Sequence, residues 1–425
     1  MSPAKQLHLF EGIGIELEYM IVSRQSLAVL PVADRLLAAQ AGGMTDEVEV
    51  GPLRWSNELV LHVIELKTNG PAAELQGLTS PFQEGVTAVN RRLEALDGQL
   101  MPTAMHPWMD PARDSRLWPH DNSLIYQTYH RIFDCRGHGW VNLQSCHLNL
   151  PFCGDEEFGR LHAAIRLLLP ILPALAASSP FMDGGSSGLL DTRLQVYRDN
   201  QKRIPLITGR VIPEPVFTRR SYQKGILQPL YRAIADYDPD GVLQDEWLNS
   251  RGAIARFERN TIEIRILDVQ ETPMADLAIA AAVVAVLKAL VEQRWQPLSK
   301  QQDWPVEPLV TILSATIGDG ERAIIDNPDY LAMFGFDAPR ATAGALWSHL
   351  ILGQVSEQPG ALRPFMPVLE NILTHGPLAR RILQSLGEHP TLDRLAETYR
   401  TLCGCLAEGS MFIPAPVRRA ANLQP

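Results

Sequence analysis

Three short segments carry pairs of polar side chains two residues apart inside otherwise apolar runs. In GIGIELEYMIV (12–22), Glu16 and Glu18 alternate with Ile15, Leu17 and Tyr19. In VNLQSCHLNLPF (141–152), His147 and Asn149 alternate with Cys146, Leu148 and Leu150. In RNTIEIRILDVQ (259–270), Glu263 and Arg265 alternate with Ile262, Ile264 and Ile266. A period of two is the strand signature, so each segment has one apolar face and one face of ligand-type groups. Two carboxylates at i and i+2 of a strand stand roughly 7 Å apart and repel unless a cation lies between them. Any one of these pairs alone is also what a solvated sheet face would show. On neighbouring strands of one sheet, three carboxylates, an imidazole and a guanidinium would form an acidic concavity. Oxygen-rich sites with one imidazole suit Mg²⁺ or Mn²⁺ rather than structural zinc. NELVLHVIELKT (57–68) adds Glu58 and Glu65. A separation of seven puts them on opposite faces of a regular strand, so either Glu58 precedes the strand or a bulge re-aims one of them.

Such a face needs a sheet with helices behind it. Helical spacing of apolar residues recurs at PVADRLLAAQA (31–41), SPFQEGVTAVNRRLEALDGQL (80–100), DEEFGRLHAAIRLLLPILPALAA (155–177) and from TPMADLAIAAAVV (272–284) onward. Beyond about residue 300 the pattern is almost wholly helical. Residues 101–140, rich in Pro, His, Asp and Trp, read as a loop that is either structural or the rim of a site. Strands and helices interleave at long, irregular spacings, which favours an α+β fold: a mainly antiparallel sheet backed by helices. The expected division is a catalytic region over 1–295 and a helical C-terminal region over 296–425 packed on the same domain. No GxGxxG follows a strand and no GxxxxGK[ST] is present, so Rossmann and P-loop readings lose their main support.

The net charge of −10 argues against a general binder of nucleic acid or anionic membrane. Five cysteines without CxxC spacing fit neither a disulfide framework nor a thiolate zinc site, and suit a reducing cytoplasm. The two in CGC (403–405) sit in a helical pattern and read as packing residues. LAIAAAVVAVLKALV (277–291) is short and broken by Lys288, which suits a buried helix better than a span. GGSSG (184–188) reads as a plain loop, with Arg193 after it the stronger signal.

The ordered set GIELEY, NELVLHVIELKT, MHP, QSCHLNL, ASSPF through SGLLDTR, and NTIEIRILDVQ resembles glutamate–cysteine ligase family 2, the carboxylate–amine ligases. The resemblance spans residues 10 to 290 and implies a glutamine synthetase-like fold, a curved antiparallel sheet with helices on its outer face. It implies Glu16, Glu18, Glu58, Glu65, His147 and Glu263 as metal ligands for Mg²⁺ or Mn²⁺. Arg265 and Arg193 then face phosphate, acyl phosphate or substrate, Asn149 the nucleotide, and His106 falls in a segment lining the site. The implied activity joins an amino-acid carboxylate, activated by ATP as an acyl phosphate, to an amine. Many bacterial members read HVHVG where this chain has CHLNL, while thiol-forming members carry an HYNFS-like version closer to His147 and Asn149. The acceptor amine, the donor's identity and the oligomeric state stay open. A member that binds nucleotide or amino acid without turnover, or a dinuclear metal hydrolase, are the competing readings.

Overall fold

The computed structural model describes residues 6–354 and 359–414. Eight strands build its main sheet: β1 (Gly14–Ser23), β2 (Glu47–Val50), β3 (Leu53–Asn57), β4 (Val63–Thr68), β5 (Gly98–Met101), β6 (Ser145–Pro151), β7 (Ala253–Arg256) and β8 (Thr261–Asp268). Their order is β2-β3-β4-β1-β6-β8-β7, and β5 pairs with the last residues of β1. Every neighbouring pair is antiparallel. The fold is α+β, as its alternation pattern led us to expect.

One face of the sheet carries Ile15, Leu17 and Tyr19 of β1, Leu148 and Leu150 of β6, and Ile262 and Ile264 of β8, all buried in the main core. Four helices cover that face: α1 (Ala33–Ala41), α2 (Thr79–Leu93), α4 (Gly154–Leu168) and α6 (Pro273–Val291). A further helix, α3 (Ser123–Phe133), lies between α2 and α4 in the chain. Helix α2 buries Phe82, Val86, Val89 and Leu93, a stripe at intervals of three and four. Helix α6 starts at Pro273 with the Thr272 side chain accepting from the Ala275 N–H, so its first turn is capped. By length and composition α6 could cross a membrane, yet it is buried on nearly every side by the rest of the fold.

The opposite face is divided. Its lower part carries the polar residues of the three alternating segments. Its upper part, from Met20 and Val22 onward, is apolar and packs against Ile382 and Tyr399 of α7 (Leu378–Leu386) and α8 (Leu392–Glu408), with Cys403 and Cys405 in the same cluster.

Three local expectations need correction. Residues 101–140 are not all loop, because α3 lies within them. The second segment does not run as strand from residue 141: His138–Val141 close a helical turn, and β6 starts only at Ser145. The second acidic strand starts at Val63, and β2 and β3 form an unforeseen hairpin before it. Gly51 at φ +61° makes the two-residue turn of that hairpin, a backbone region costly for other residues.

Candidate metal and substrate site

Strand register brings the paired polar groups together. Glu16 sits opposite His147 on β6 and Lys67 on β4, and Glu18 sits opposite Glu65. Glu263 sits opposite Asn149, which is itself opposite Gly14. Directly opposed residues share a face with Cβ atoms roughly 5 Å apart, so four strands deliver their ligand-type groups to one patch. Glu58 lies in the connection between β3 and β4, which resolves the face conflict: it precedes the strand.

The contacts inside the patch are short. His147 Nδ1 is 3.1 Å from Glu16 Oε2 and 3.7 Å from Glu263 Oε1. His147 Nε2 lies 2.9 Å from Ser145 Oγ, and that hydroxyl donates to Glu18 Oε2 at 2.9 Å. The Ser145 N–H also donates to Glu18 Oε2, at 2.7 Å. Asn149 Nδ2 donates to Glu16 Oε1 at 2.9 Å. Ligand atoms of Glu16, Glu65 and His147 all lie within 4.8 Å of one another, and so do those of Glu18, Glu58 and Glu65.

Electrostatics in this patch are out of balance. Burial pushes the Glu58 carboxyl well above the usual carboxylate range, and the charges of Glu18 and Glu65 push it further. Glu65 is raised to about 7 by burial and by Glu16, despite the nearby ammonium of Lys67. Burial also opposes ionisation of Glu16, but the hydrogen bond and charge of His147 outweigh it and hold Glu16 at about 2. Burial would lower His147, yet its bond to Glu16 and the charges of Glu18 and Glu263 hold it up at about 9. Crowded, buried carboxylates of this kind offer more negative charge than their protein partners compensate.

Both arginines are already oriented. Arg265 Nε and Nη2 reach Glu263 Oε1 at 3.1 and 2.5 Å. Arg193, in α5 (Thr192–Arg198), donates through Nε to Asp268 Oδ1 at 2.6 Å and through Nη2 to the Arg265 carbonyl at 3.3 Å. Asp268 is fixed in turn by the Ser178 N–H and the Ser179 hydroxyl. Both guanidiniums border a cavity of 1180 Å³ that is also lined by Glu16, Glu18, Glu58, Glu65, His147, Asn149 and Glu263.

His106 is not in this wall. It is fully buried, its Nε2 lies 2.8 Å from the Leu27 carbonyl and its Nδ1 accepts from the Trp108 N–H at 3.2 Å. Burial holds its pKa down at about 4, so it is a neutral core residue with both nitrogens spent on backbone.

Several contributors escaped the sequence reading. Lys67 Nζ lies 3.0 Å from Glu65 Oε2 and 2.9 Å from Glu47 Oε2. Ser56 donates to Glu65 Oε2 at 2.6 Å. Ser145 precedes His147 by two residues and Lys67 follows Glu65 by two, so the alternation that singled out their neighbours contained both. Asp268 and the aromatic residues lining the cavity left no comparable signal.

The family model described as Glutamate-cysteine ligase family 2 (GCS2) matches residues 12–396. A protein from Archaeoglobus fulgidus, named only as uncharacterized, is 37% identical over 73% of this chain and 81% of its own length. A Ruegeria pomeroyi protein, provisionally named glutamate–cysteine ligase 2, is 26% identical over 66% of each chain. Among solved structures, the glutamate–cysteine ligase of Francisella tularensis in complex with AMP superposes with a TM-score of 0.60 at 14% identity, covering 95% of this chain and 93% of its own. At that identity the likeness establishes the shared fold.

Proposed function

The chain belongs to glutamate–cysteine ligase family 2, and from that premise we propose that it is an ATP-dependent carboxylate–amine ligase with the γ-carboxylate of glutamate as donor. A carboxylate is a poor electrophile at neutral pH. Attack of its oxygen on the γ-phosphorus of ATP gives an acyl phosphate and ADP. An amine then attacks the acyl carbon, and inorganic phosphate leaves as the amide forms. Both steps build negative charge on phosphoryl oxygens.

The observation that carries this reading is the convergence of Glu16, Glu18, Glu58, Glu65, His147 and Glu263 from separate chain segments on one concave patch. Their donor set fits hard divalent cations: mostly carboxylate oxygens, with Glu58 and Glu65 held above the usual carboxylate range by burial and neighbouring carboxylates. These six residues would hold Mg²⁺ or Mn²⁺. The ions supply neutralisation of phosphoryl charge when bound. Arg265 and Arg193 add fixed positive charge in fork geometry, already oriented by Glu263 and Asp268. Asn149 holds Glu16 from the side away from His147 and borders the space a nucleotide would fill. No protein nucleophile is required. The substrates are small molecules of the cytoplasm.

Phosphate release from ATP with Mg²⁺, glutamate and a panel of amines tests the proposal. We expect release that needs both glutamate and an amine, falling at least a hundredfold in Glu16→Gln and Glu263→Gln variants that keep the wild-type circular dichroism spectrum. ATP binding without amine-dependent release would point instead to a member that only binds. Hydrolysis of an amide without ATP would point to a metal hydrolase.

A further inference from the structure

Helix α3 spans the open side of the concave face. Asn122, just before it, donates to Asp46 Oδ2 at 2.8 Å beside the β2 edge of the sheet. Near its other end Arg131 donates to the Tyr237 carbonyl at 2.9 Å. Tyr126, Tyr129 and Phe133 recur on it at helical spacing and share one face. Tyr126 Oη accepts from Asn57 Nδ2 at 3.1 Å, at the end of β3. Tyr129 meets Trp247, which precedes the opposite edge strand β7, with ring centroids 5.9 Å apart. Trp140 closes the group, 5.3 Å from Tyr129 and stacked on Phe133 at 5.6 Å.

Tyr126, Tyr129, Trp140 and Trp247 all border the cavity and all remain partly exposed. Among the described residues, the ring contacts of Tyr129, Trp140 and Trp247 are with one another and with Phe133. The wall also touches the reacting end of the site: Asn57 adjoins Glu58, and Tyr129 lies within the field of Arg265. A nucleotide base is held away from its γ-phosphate by a ribose and two further phosphates. Tyr126 lies near Glu58 and Tyr129 near Arg265, so this end of the wall suits the nucleophile better than the base.

We propose that this aromatic wall is the acceptor subsite, and that the amine it takes carries a planar apolar body, as an arylalkylamine or an aromatic amino acid does. The inference rests on the ligase reading and deepens it. Stacking against the wall orients the amine nitrogen toward the acyl carbon, and the flat faces of Tyr129 and Trp140 discriminate against small amines such as cysteine or glycine.

The test is steady-state phosphate release by the full chain with Mg·ATP and glutamate, comparing 2-phenylethylamine and phenylalanine with cysteine and glycine. We expect kcat/KM about tenfold or more higher for the aromatic amines. Trp140→Ala should raise KM for the aromatic amine about fivefold to tenfold, leave KM for ATP within about twofold and be largely rescued by Trp140→Phe. Faster turnover of cysteine or glycine than of the aromatic amines would overturn the subsite and leave the ligase reading standing. A rise in KM for ATP in Trp140→Ala, with KM for the amine unchanged, would assign the wall to the base and overturn the inference. Phosphate release with no amine at all would end the ligase reading and the subsite with it.

Discussion

Replacing Glu65 with Gln should make the ion-free protein more stable, not less. Glu65 is 5% exposed, and its pKa is raised from 4.5 to about 7 by burial and by Glu16. At about 1.4 kcal/mol per unit, ionising it in the folded state costs about 3 kcal/mol. A raised carboxyl pKa destabilises only where the group is charged. The penalty is absent below pH 4.5, grows between 4.5 and 7, and is complete above 7. Gln reproduces the neutral side chain and can still accept the bond from Ser56, while Lys67 keeps Glu47. With roughly 2.1 cal/mol/K of unfolding entropy per residue over 425 residues, the gain corresponds to a rise in Tm of about 3 °C at pH 8. Thermal melts in EDTA at pH 8 and pH 5 measure it, and the difference should vanish at pH 5. Millimolar Mg²⁺ should then close most of the gap at pH 8, because the ion stabilises the wild type by about 2.7 kcal/mol at a hundred times its Kd and the variant by less. A Glu65→Gln protein destabilised equally at both pH values in EDTA would refute the claim of an uncompensated carboxylate.

Ion affinity should rise steeply with pH between about 6 and 9, because Glu65 at about 7 and His147 at about 9 must lose protons to ligate. Calorimetry of Mn²⁺ binding in buffers of different ionisation enthalpy should show net proton release, and a pH-independent Kd would contradict it. Asn149→Ala removes the side-chain donor on Glu16 Oε1 and should weaken Mn²⁺ binding roughly tenfold with little change in Tm, measured by the same titration. Arg381 on α7 is wholly buried against Glu271 and the Phe412 carbonyl. Arg381→Met alone should cost about 3–5 kcal/mol in urea unfolding, and the double variant with Glu271→Leu should recover most of it.

The ligand face was legible because alternation fixes which side chains share a face before the pairing of strands is known. Glu16, Glu18, His147 and Glu263 followed from that rule alone, and antiparallel pairing then closed the distances. Glu58 was ambiguous for a physical reason: a residue in a connecting loop obeys no periodicity, and its inward aim comes from the turn. Helix α3 was missed because its boundaries carry unusual signals. Asn122 has φ +68° and makes no side-chain cap, and the flanking WPHDN reads as a turn. His106 failed because a motif locates a segment, whereas only packing shows whether an imidazole keeps a nitrogen free. Arg193 entered by resemblance as a substrate or phosphate contact and does line the cavity, but its orientation depends on Asp268, which no alternation rule singled out.

The polar stretch of β1 ends where the C-terminal helices begin to cover it. Glu16, Glu18, Met20 and Val22 follow one another on the same face, yet the first two border the cavity and the last two are sealed beneath α7 and α8. Without that cover, Met20 and Val22 would extend the cavity with an apolar, water-accessible floor beside Glu18, and hydration there would screen the charges that set the pKa values of the cluster. On this reasoning the helical region far from any chemical motif should act on the site through dielectric. Glu18, the next residue on that face, is 8% exposed. Ile382→Ala, within the same apolar cluster, removes packing from that cover without altering any acidic residue of the site. It should lower the apparent pKa of Glu65 toward its ordinary value, read as an acid-shifted proton release on Mn²⁺ binding. An unchanged release profile in a folded Ile382→Ala protein would separate the C-terminal helices from the electrostatics of the site.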